Sequence, residues 1–420
     1  MELAIRTAML KLGATLFEQL MSSDTGYVGP LIDCGAGHQA RFVSNRDKTY
    51  QTVLGPVTLP RAYYHCCDCH AGVVPKDTQL GVAGVSLTPG LRAMADRVGE
   101  TVPFAKASKL LGELAGIELC AKRIERCSEA DGDALGKAAD AEADALRAAG
   151  LVVLPIGDTP AKLYVAMDGT GVPMVPAELA GRKGKGEDGK ARTREVKLAV
   201  CFTQTDIDDE GYPVRDPGSS TYVATFGPAE HFGRLVDIEA RRRGSDRAGC
   251  VVVLGDGSPW IWNLAAAHFP AAAHIVDLYH AREHVNDLAK LIAPRLGGRH
   301  RTWVEGRLAQ LDAGDVEGMC ESFRALKLAK PADTVVEAGL AYFETNAERM
   351  RYASFRSLGH FVGSGTVESG CKAVVGQRLK LSGMRWSEHG AAGILALRCH
   401  EAGGRWEQIW NRINTQTSVA

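Results

Sequence analysis

Apolar residues recur along the chain at two different spacings. In MELAIRTAMLKLGATLFEQL they return every three or four positions around Glu2, Arg6, Lys11 and Glu18, which predicts an amphipathic helix. In TYQTVLGPVTLPRAYYH they alternate, with Tyr50, Thr52 and Leu54 before Gly55-Pro56 and Val57, Leu59 and Tyr63 after it, which predicts a hairpin turning at Gly55-Pro56. Helical spacing resumes in PFAKASKLLGELAG, where Ala107, Leu110, Leu111 and Leu114 share a face and Gly116 permits a turn. The helix that follows, CAKRIERCSEADGDALG, carries Lys122, Arg123 and Arg126, the layout of a helix-turn-helix with a basic second helix. A helical hairpin with a solvated face reads the same way. GKAADAEADALRAAG continues as a polar helix or linker.

From about residue 160 the pattern becomes β. LYVAMD, VKLAVCFT, STYVATF, CVVVLG and AAHIVD are short, rich in β-branched or aromatic residues, and predict strands. Three of them end on a carboxylate: Asp168, Asp256 and Asp277, the first two followed by glycine, so that LYVAMDGTG and VVVLGDG read as strands closing on an Asp-Gly turn. After Asp277, Val285, Leu288, Leu291 and Ile292, then Trp303, Val304, Leu308 and Leu311, predict an all-helical insertion. VESGCKAVVGQRLK follows a glycine-rich loop and reads as a helix with Glu368 in its first turn, where the helix dipole favours an anion and where glutamate is also routine capping chemistry.

Composition narrows the class. A chain of 420 residues exceeds one hydrophobic core, and 45% apolar with 24% charged residues is ordinary for a globular protein. The net charge of −1 means that any nucleic-acid partner must be met by local basic patches. Two stand out. The run GRKGKGEDGKARTREVK carries seven basic against three acidic residues, with Lys183, Lys185 and Lys190 as candidate phosphate contacts; its Gly184-x-Gly186-x-x-Gly189 follows no strand and opens no helix. Near the C-terminus, Arg378, Lys380 and Arg385 form the second. No segment has the length and apolarity of a membrane span, and the chain is expected to be cytoplasmic.

Eleven cysteines without an export signal are expected to be reduced, which favours metal ligation over disulfides. Cys66 and Cys69 form a Cys-x-x-Cys pair, and Cys34 with His38 faces it across the hairpin, a zinc-ribbon arrangement whose first half is looser than usual. The spare donors are His65, Cys67 and His70. Strand-end carboxylates on one sheet edge are costly unless a cation neutralises them, and hard oxygen ligands point to Mg2+ or Mn2+. Glu368 supplies a third carboxylate for a two-metal site. Trp260, just past Asp256, is placed to stack on an unpaired base or to pack in the core.

Taken together, LYVAMDGTGVPM, VVLGDGSPWIWN, DLYHAREHV, GSGTVESGCK and MRWSEHGAAGILALR resemble the Kra-type insertion-sequence transposases, of the DDE class built on an RNase H-like core. The resemblance covers almost the whole chain. It implies a multidomain α/β protein: an N-terminal helix and zinc-ribbon-like domain (1–80), a helix-turn-helix-like DNA-binding region (81–155), the first part of an RNase H-like catalytic core with a mixed sheet flanked by helices (156–285), a helical insertion (286–350), and the rest of the core with C-terminal helices (351–420). It implies that Asp168, Asp256 and Glu368 are catalytic and hold Mg2+ or Mn2+, and that Asp277 and His280 form an Asp-x-x-His element supporting a ligand or orienting a phosphate. The implied partner is double-stranded DNA, bound by a homo-oligomer at the bacterial nucleoid. Relatives are expected to show a cysteine pair where this chain has Cys34 and His38. A DNA-binding protein that has lost catalysis, or another RNase H-like nuclease, would share much of the pattern.

Overall fold

The computed structural model describes residues 1–149, 153–155, 157–184, 189, 191–328, 330 and 332–409. The architecture is mixed α/β with two separate sheets. The chain divides into two compact units: Met1–Gly136 with His389–Glu401 and the segment from Arg405, and Lys137–Glu388 with Ala402–Gly404.

The first unit opens with α1 (Glu2–Ser22) and a four-stranded antiparallel sheet in the order β1 (Leu31–Asp33), β2 (Gln39–Thr52), β3 (Gly55–His65), β4 (Gly72–Val73). The expected β2–β3 hairpin is present, but its turn lies earlier than Gly55-Pro56: Thr52 pairs with Gly55, leaving Val53 and Leu54 at the tip. Gly55 has φ +111°, a conformation that costs glycine nothing, and it already belongs to β3. Tyr50, Val57 and Leu59 bury one face of the hairpin against Ala14, Phe17 and Met21 of α1. After α2 (Pro75–Gln79), the helices α3 (Pro89–Thr101), α4 (Phe104–Leu110) and α5 (Ala121–Ala149) build a second core from Leu91, Ala95, Ala107, Leu111, Ile117, Leu119 and Ile124. Gly116, at φ +72°, makes the turn between α4 and α5. The second helix of this hairpin is long: the polar stretch after Gly136 continues α5 without a break.

The second unit holds a five-stranded mixed sheet, β5 (Lys162–Pro173), β6 (Thr193–Gln204), β7 (Thr221–Thr225), β8 (Cys250–Gly255) and β9 (Ala273–Val276), in the order β7-β6-β5-β8-β9. The first three strands pair antiparallel, while β8 runs parallel to β5 and β9 parallel to β8. Leu163 to Met167, Leu198 to Phe202 and Val252 to Leu254 are buried almost completely, which is why these strands read as continuous apolar runs. The helices α6 (Ala229–Arg242) and α7 (Pro259–His268) link the later strands. Helices α8 (Leu278–Leu296), α9 (His300–Ala313), α10 (Val316–Arg324), α11 (Ala332–Asn346) and α12 (Tyr352–Ser357) follow β9, matching the helical spacing read after Asp277, and are followed by α13 (Gly365–Gly370), a π-helical segment (Cys371–Gly376) and α14 (Gln377–Leu379), while α15 (Glu388–Ala402) belongs mostly to the first unit. No helix among the described residues is long and apolar enough to cross a membrane.

Candidate functional site

One expectation is corrected by the sheet. β5 does not end on Asp168; it continues to Pro173 as a long hairpin with β6, and Asp168 pairs with Leu198 in its middle. The glycines after it are strand residues that let β6 approach. A Cβ on Gly169 would lie 2.6 Å from the Glu195 carboxylate, and one on Gly171 would lie 2.9 Å from the Thr193 hydroxyl. What does end near Asp168 is its other neighbour. Pairing of β5 with β8 stops at Ala166–Leu254, so Asp168 emerges where the parallel part of the sheet opens.

Register then aligns the carboxylates. Continuing Ala166–Leu254 by two residues on each strand brings Asp168 level with Asp256, and continuing Gly255–Val276 by one brings Asp256 level with Asp277. Burial raises the pKa of Asp168, opposed by the Gly169 N–H and the Cys371 thiol, with the Asp256 charge adding to the rise. The Asp168 carboxylate accepts from the Gly169 N–H at 2.7 Å and from Cys371 Sγ at 3.4 Å. Asp256 accepts from the Ser258 N–H at 2.8 Å and its hydroxyl at 3.0 Å, while the Tyr342 hydroxyl donates to the Asp256 carbonyl at 2.9 Å.

Asp277 differs from the other two. It is fully buried, caps α8 by accepting from the His280 N–H at 2.7 Å, and accepts from the Ser364 N–H. With Leu278 N–H donating to the Val362 carbonyl at 2.9 Å, this end of β9 fixes the loop from which α13 starts. That helix packs on β5 and β6. A Cβ on Gly370 would meet Tyr222 and Leu198, so glycine permits the close approach. Glu368 lies one helical turn before Cys371, whose thiol reaches Asp168, and the Glu368 and Asp168 charges help hold that thiol un-ionised after burial has done most of it. Glu368 is half-buried, 3.5 Å from the Ser364 hydroxyl and 3.8 Å from Lys372. The His280 ring lies 3.5 Å from Glu283. Its neighbour His284 stacks on Tyr342 at 4.2 Å, and burial lowers its pKa.

Cys371, Tyr342 and Ser364 were absent from the sequence reading. Tyr342 and Ser364 reach the site through contacts distant in sequence. Cys371 had a local signal, its place three residues after Glu368, but only the fold turns that face toward Asp168.

The basic residues separate into three groups. Lys122, Arg126, Lys183, Lys380 and Arg385 are exposed; Lys380 reaches the Thr170 hydroxyl, two residues from Asp168. Arg123 is half-buried and bonds to the Ser86 hydroxyl. Arg378 is a correction: it is completely buried, its guanidinium over the Trp386 ring at 4.8 Å and 3.4 Å from Met384 Sδ, so it supports the core and meets no surface ligand. Lys185 and Lys190 lie outside the described residues. Trp260 is half-buried, edge-on to Phe232 at 5.8 Å with Lys197 Nζ 5.7 Å from its ring centre.

In the first unit, the donor atoms of Cys34, His38, Cys66 and Cys69 all lie within 4.8 Å of one another, with Cys34 and Cys69 Sγ 3.6 Å apart. Two tight turns present them: Cys34 N–H donates to the His38 carbonyl at 3.0 Å, and Cys66 N–H to the Ala71 carbonyl at 2.9 Å. Gly35 and Gly37, at φ +83° and +80°, supply the backbone that the looser Cys-x3-His knuckle needs. Backbone hydrogen bonding at Ala36 lowers the Cys34 thiol to about 7, toward the thiolate that binds metal. Three thiols and an imidazole at these separations suit a tetrahedral ion such as Zn2+. His65, Cys67 and His70 stand outside the group.

A second cluster joins α3 to α5. Asp96, Cys127 and Asp131 have donor atoms within 4.8 Å of one another, and Arg92 grips both oxygens of Asp131. Asp96 is fully buried; burial, then the Asp131 charge, push its pKa well above the usual carboxylate range.

No family model matches this chain, and no curated protein matches it.

Proposed function

We propose that the chain is a DDE-class DNA transposase that cleaves phosphodiester bonds and transfers strands with the help of Mg2+ or Mn2+. The observation that carries this reading is the arrangement of Asp168 in β5, Asp256 at the end of the adjacent parallel strand and Glu368 on the helix packed over β5. The mixed five-stranded sheet in the order β7-β6-β5-β8-β9, with β8 parallel to β5 and β9 parallel to β8, supports the same reading.

The donor chemistry fits hard divalent ions. Two partly buried carboxylates stand level on neighbouring strands, their mutual repulsion calling for a cation, and a third lies on the facing helix. Asp168, Asp256 and Glu368 would hold a metal pair, which when bound supplies activation of the attacking oxygen and stabilisation of the departing one. Asp277 anchors the loop that aims α13, and Tyr342 holds the backbone of Asp256. Lys380 is exposed, reaches the Thr170 hydroxyl two residues from Asp168, and would meet a DNA phosphate there. The zinc-ribbon-like hairpin and the α4–α5 helical hairpin would bind the ends of the element.

The test uses duplexes carrying the sequences that flank the gene, incubated with Mg2+. Asp256→Asn and Glu368→Gln are expected to abolish cleavage and joining, by roughly a thousandfold or more, while leaving DNA binding intact. Wild-type activity in either variant would remove that residue from the site. Absence of strand cleavage by the wild-type protein on its own flanking ends would overturn the proposal.

A further inference from the structure

The helix α1 is apolar on two separate faces, and among the described residues only one of them is packed. Ala14, Phe17 and Met21 pack on the hairpin, Gly13 meets Leu54, and Arg6 is tied to the carbonyls of Glu113 and Leu114, so the helix is held firmly in place. At 100° per residue, Ile5, Met9, Leu12, Leu16 and Leu20 fall within an arc of about 80° on another face. These five are 58, 60, 60, 53 and 67% exposed. The charged residues Lys11 and Glu18 project from a third face and leave this stripe without a charge between Ile5 and Leu20.

Solvent alone does not explain such a stripe. Isolated exposed leucines are ordinary, but a continuous apolar row along a 21-residue helix marks an interface. The spacing from Ile5 to Met9, Leu12 and Leu16 is four, three and four residues, the heptad alternation that lets one helix seat its side chains between those of another. We propose that this face is a dimerisation surface and that its occupant is α1 of a second copy of this chain. A heptad row is self-complementary about a two-fold axis, so the same five side chains fill both sides. The area is also sufficient. At on the order of 100 Å2 exposed per residue, two copies would cover roughly 1,000 Å2, the size at which a specific protein interface becomes credible. The proposal does not depend on the catalytic reading, since none of its residues belongs to the carboxylate site.

Sedimentation of the full-length protein without DNA, over about 1 to 50 µM, tests it. The wild type is expected to form dimers, and Leu12→Glu with Leu16→Glu to halve the apparent mass at every concentration while circular dichroism stays unchanged, because both side chains already face water. The milder Leu16→Gln should weaken association at least tenfold and serves if the charged pair misfolds. A wild type that remains monomeric across the range, including one that binds lipid vesicles instead, would overturn the proposal. So would a folded variant that dimerises as the wild type does.

Discussion

The substitution Asp168→Asn separates a metal ligand from a structural carboxylate, because the two roles predict opposite changes in stability. Asparagine keeps the shape, and its one carbonyl oxygen can still accept from the Gly169 N–H, while its NH2 group takes the place of the oxygen that meets the Cys371 thiol and can donate weakly to that sulfur, so the backbone hydrogen bond survives. What disappears is a charge whose ionised form is disfavoured by burial and by Asp256 alongside. Two unit charges one strand spacing apart, about 5 Å, at an effective dielectric of ~20 repel by ~3 kcal/mol, and the partial exposure of both groups reduces this to about 1 kcal/mol. The metal-free variant is therefore expected to be more stable than the wild type by about 1 kcal/mol, or roughly 2–4 °C in Tm for a unit of this size.

Added Mg2+ reverses the order. An ion present at a hundred times its dissociation constant stabilises the folded state by about 2.7 kcal/mol, so the wild type should gain roughly 5–10 °C and the variant little of it. The assay is paired thermal unfolding of both proteins in chelator and in Mg2+, with cleavage of the flanking ends followed in parallel. A variant that is destabilised in chelator, or that gains as much from Mg2+ as the wild type, would refute the placement of Asp168 in a metal cage.

Two further outcomes follow from the first unit. Cys66→Ser removes one of four donors from a sheet whose nearby core is small, Ala40, Ala62, Tyr64 and Cys66 itself with Ile32, Cys34, Phe42 and Val73 partly buried against them, so it is expected to lose bound zinc, measured by elemental analysis, and to loosen the hairpin to proteolysis while the five-stranded sheet keeps its protection. Asp96→Asn is expected to flatten the dependence of stability on pH. The raised pKa means that the folded state keeps a proton which the unfolded chain has released, so wild-type stability falls as pH rises from the ordinary carboxylate range through the higher folded value. Urea unfolding between about pH 4 and 9 should show the variant gaining on the wild type with rising pH; parallel curves would show that Asp96 is already ionised, balanced by Arg92 against Asp131 and the Cys127 thiol.

Local spacing carried much of the fold. The β2–β3 alternation, the apolar strands of the mixed sheet and the helical insertion are all legible because each buries a periodic face. Glycine was harder to read. Gly55 looked like a turn centre and proved to be the first residue of a strand, while Gly169 and Gly171 looked like a turn and proved to be gaps into which Glu195 and Thr193 fit. Both cases have one cause: sequence shows that a Cβ is missing but not whether backbone conformation or a neighbour forbids it. Arg378 failed for a related reason, since a basic residue counted toward a surface patch cannot reveal that Trp386 covers it. The two apolar faces of α1 were read as one, because a helix pattern does not say how many partners it has.

The carboxylates show the same limit at the site itself. In sequence, Asp168, Asp256 and Asp277 are equivalent, each following an apolar strand, and register places all three level across β5, β8 and β9. Their surroundings divide them. Asp277 has no exposure and spends its oxygens on backbone N–H groups of His280 and Ser364, which leaves it to position a loop. Asp168 is only partly covered, and its bonds are to one backbone N–H and a weakly donating thiol, which leaves lone pairs available. Asp256 is intermediate, turned toward Ser258 but open to solvent. Because the N–H bonded to Asp277 belongs to the residue that starts α13, the buried aspartate determines where Glu368 stands relative to the other two. One strand-end carboxylate thus orders the helix that carries Glu368, a division of labour that no spacing between the residues could have disclosed.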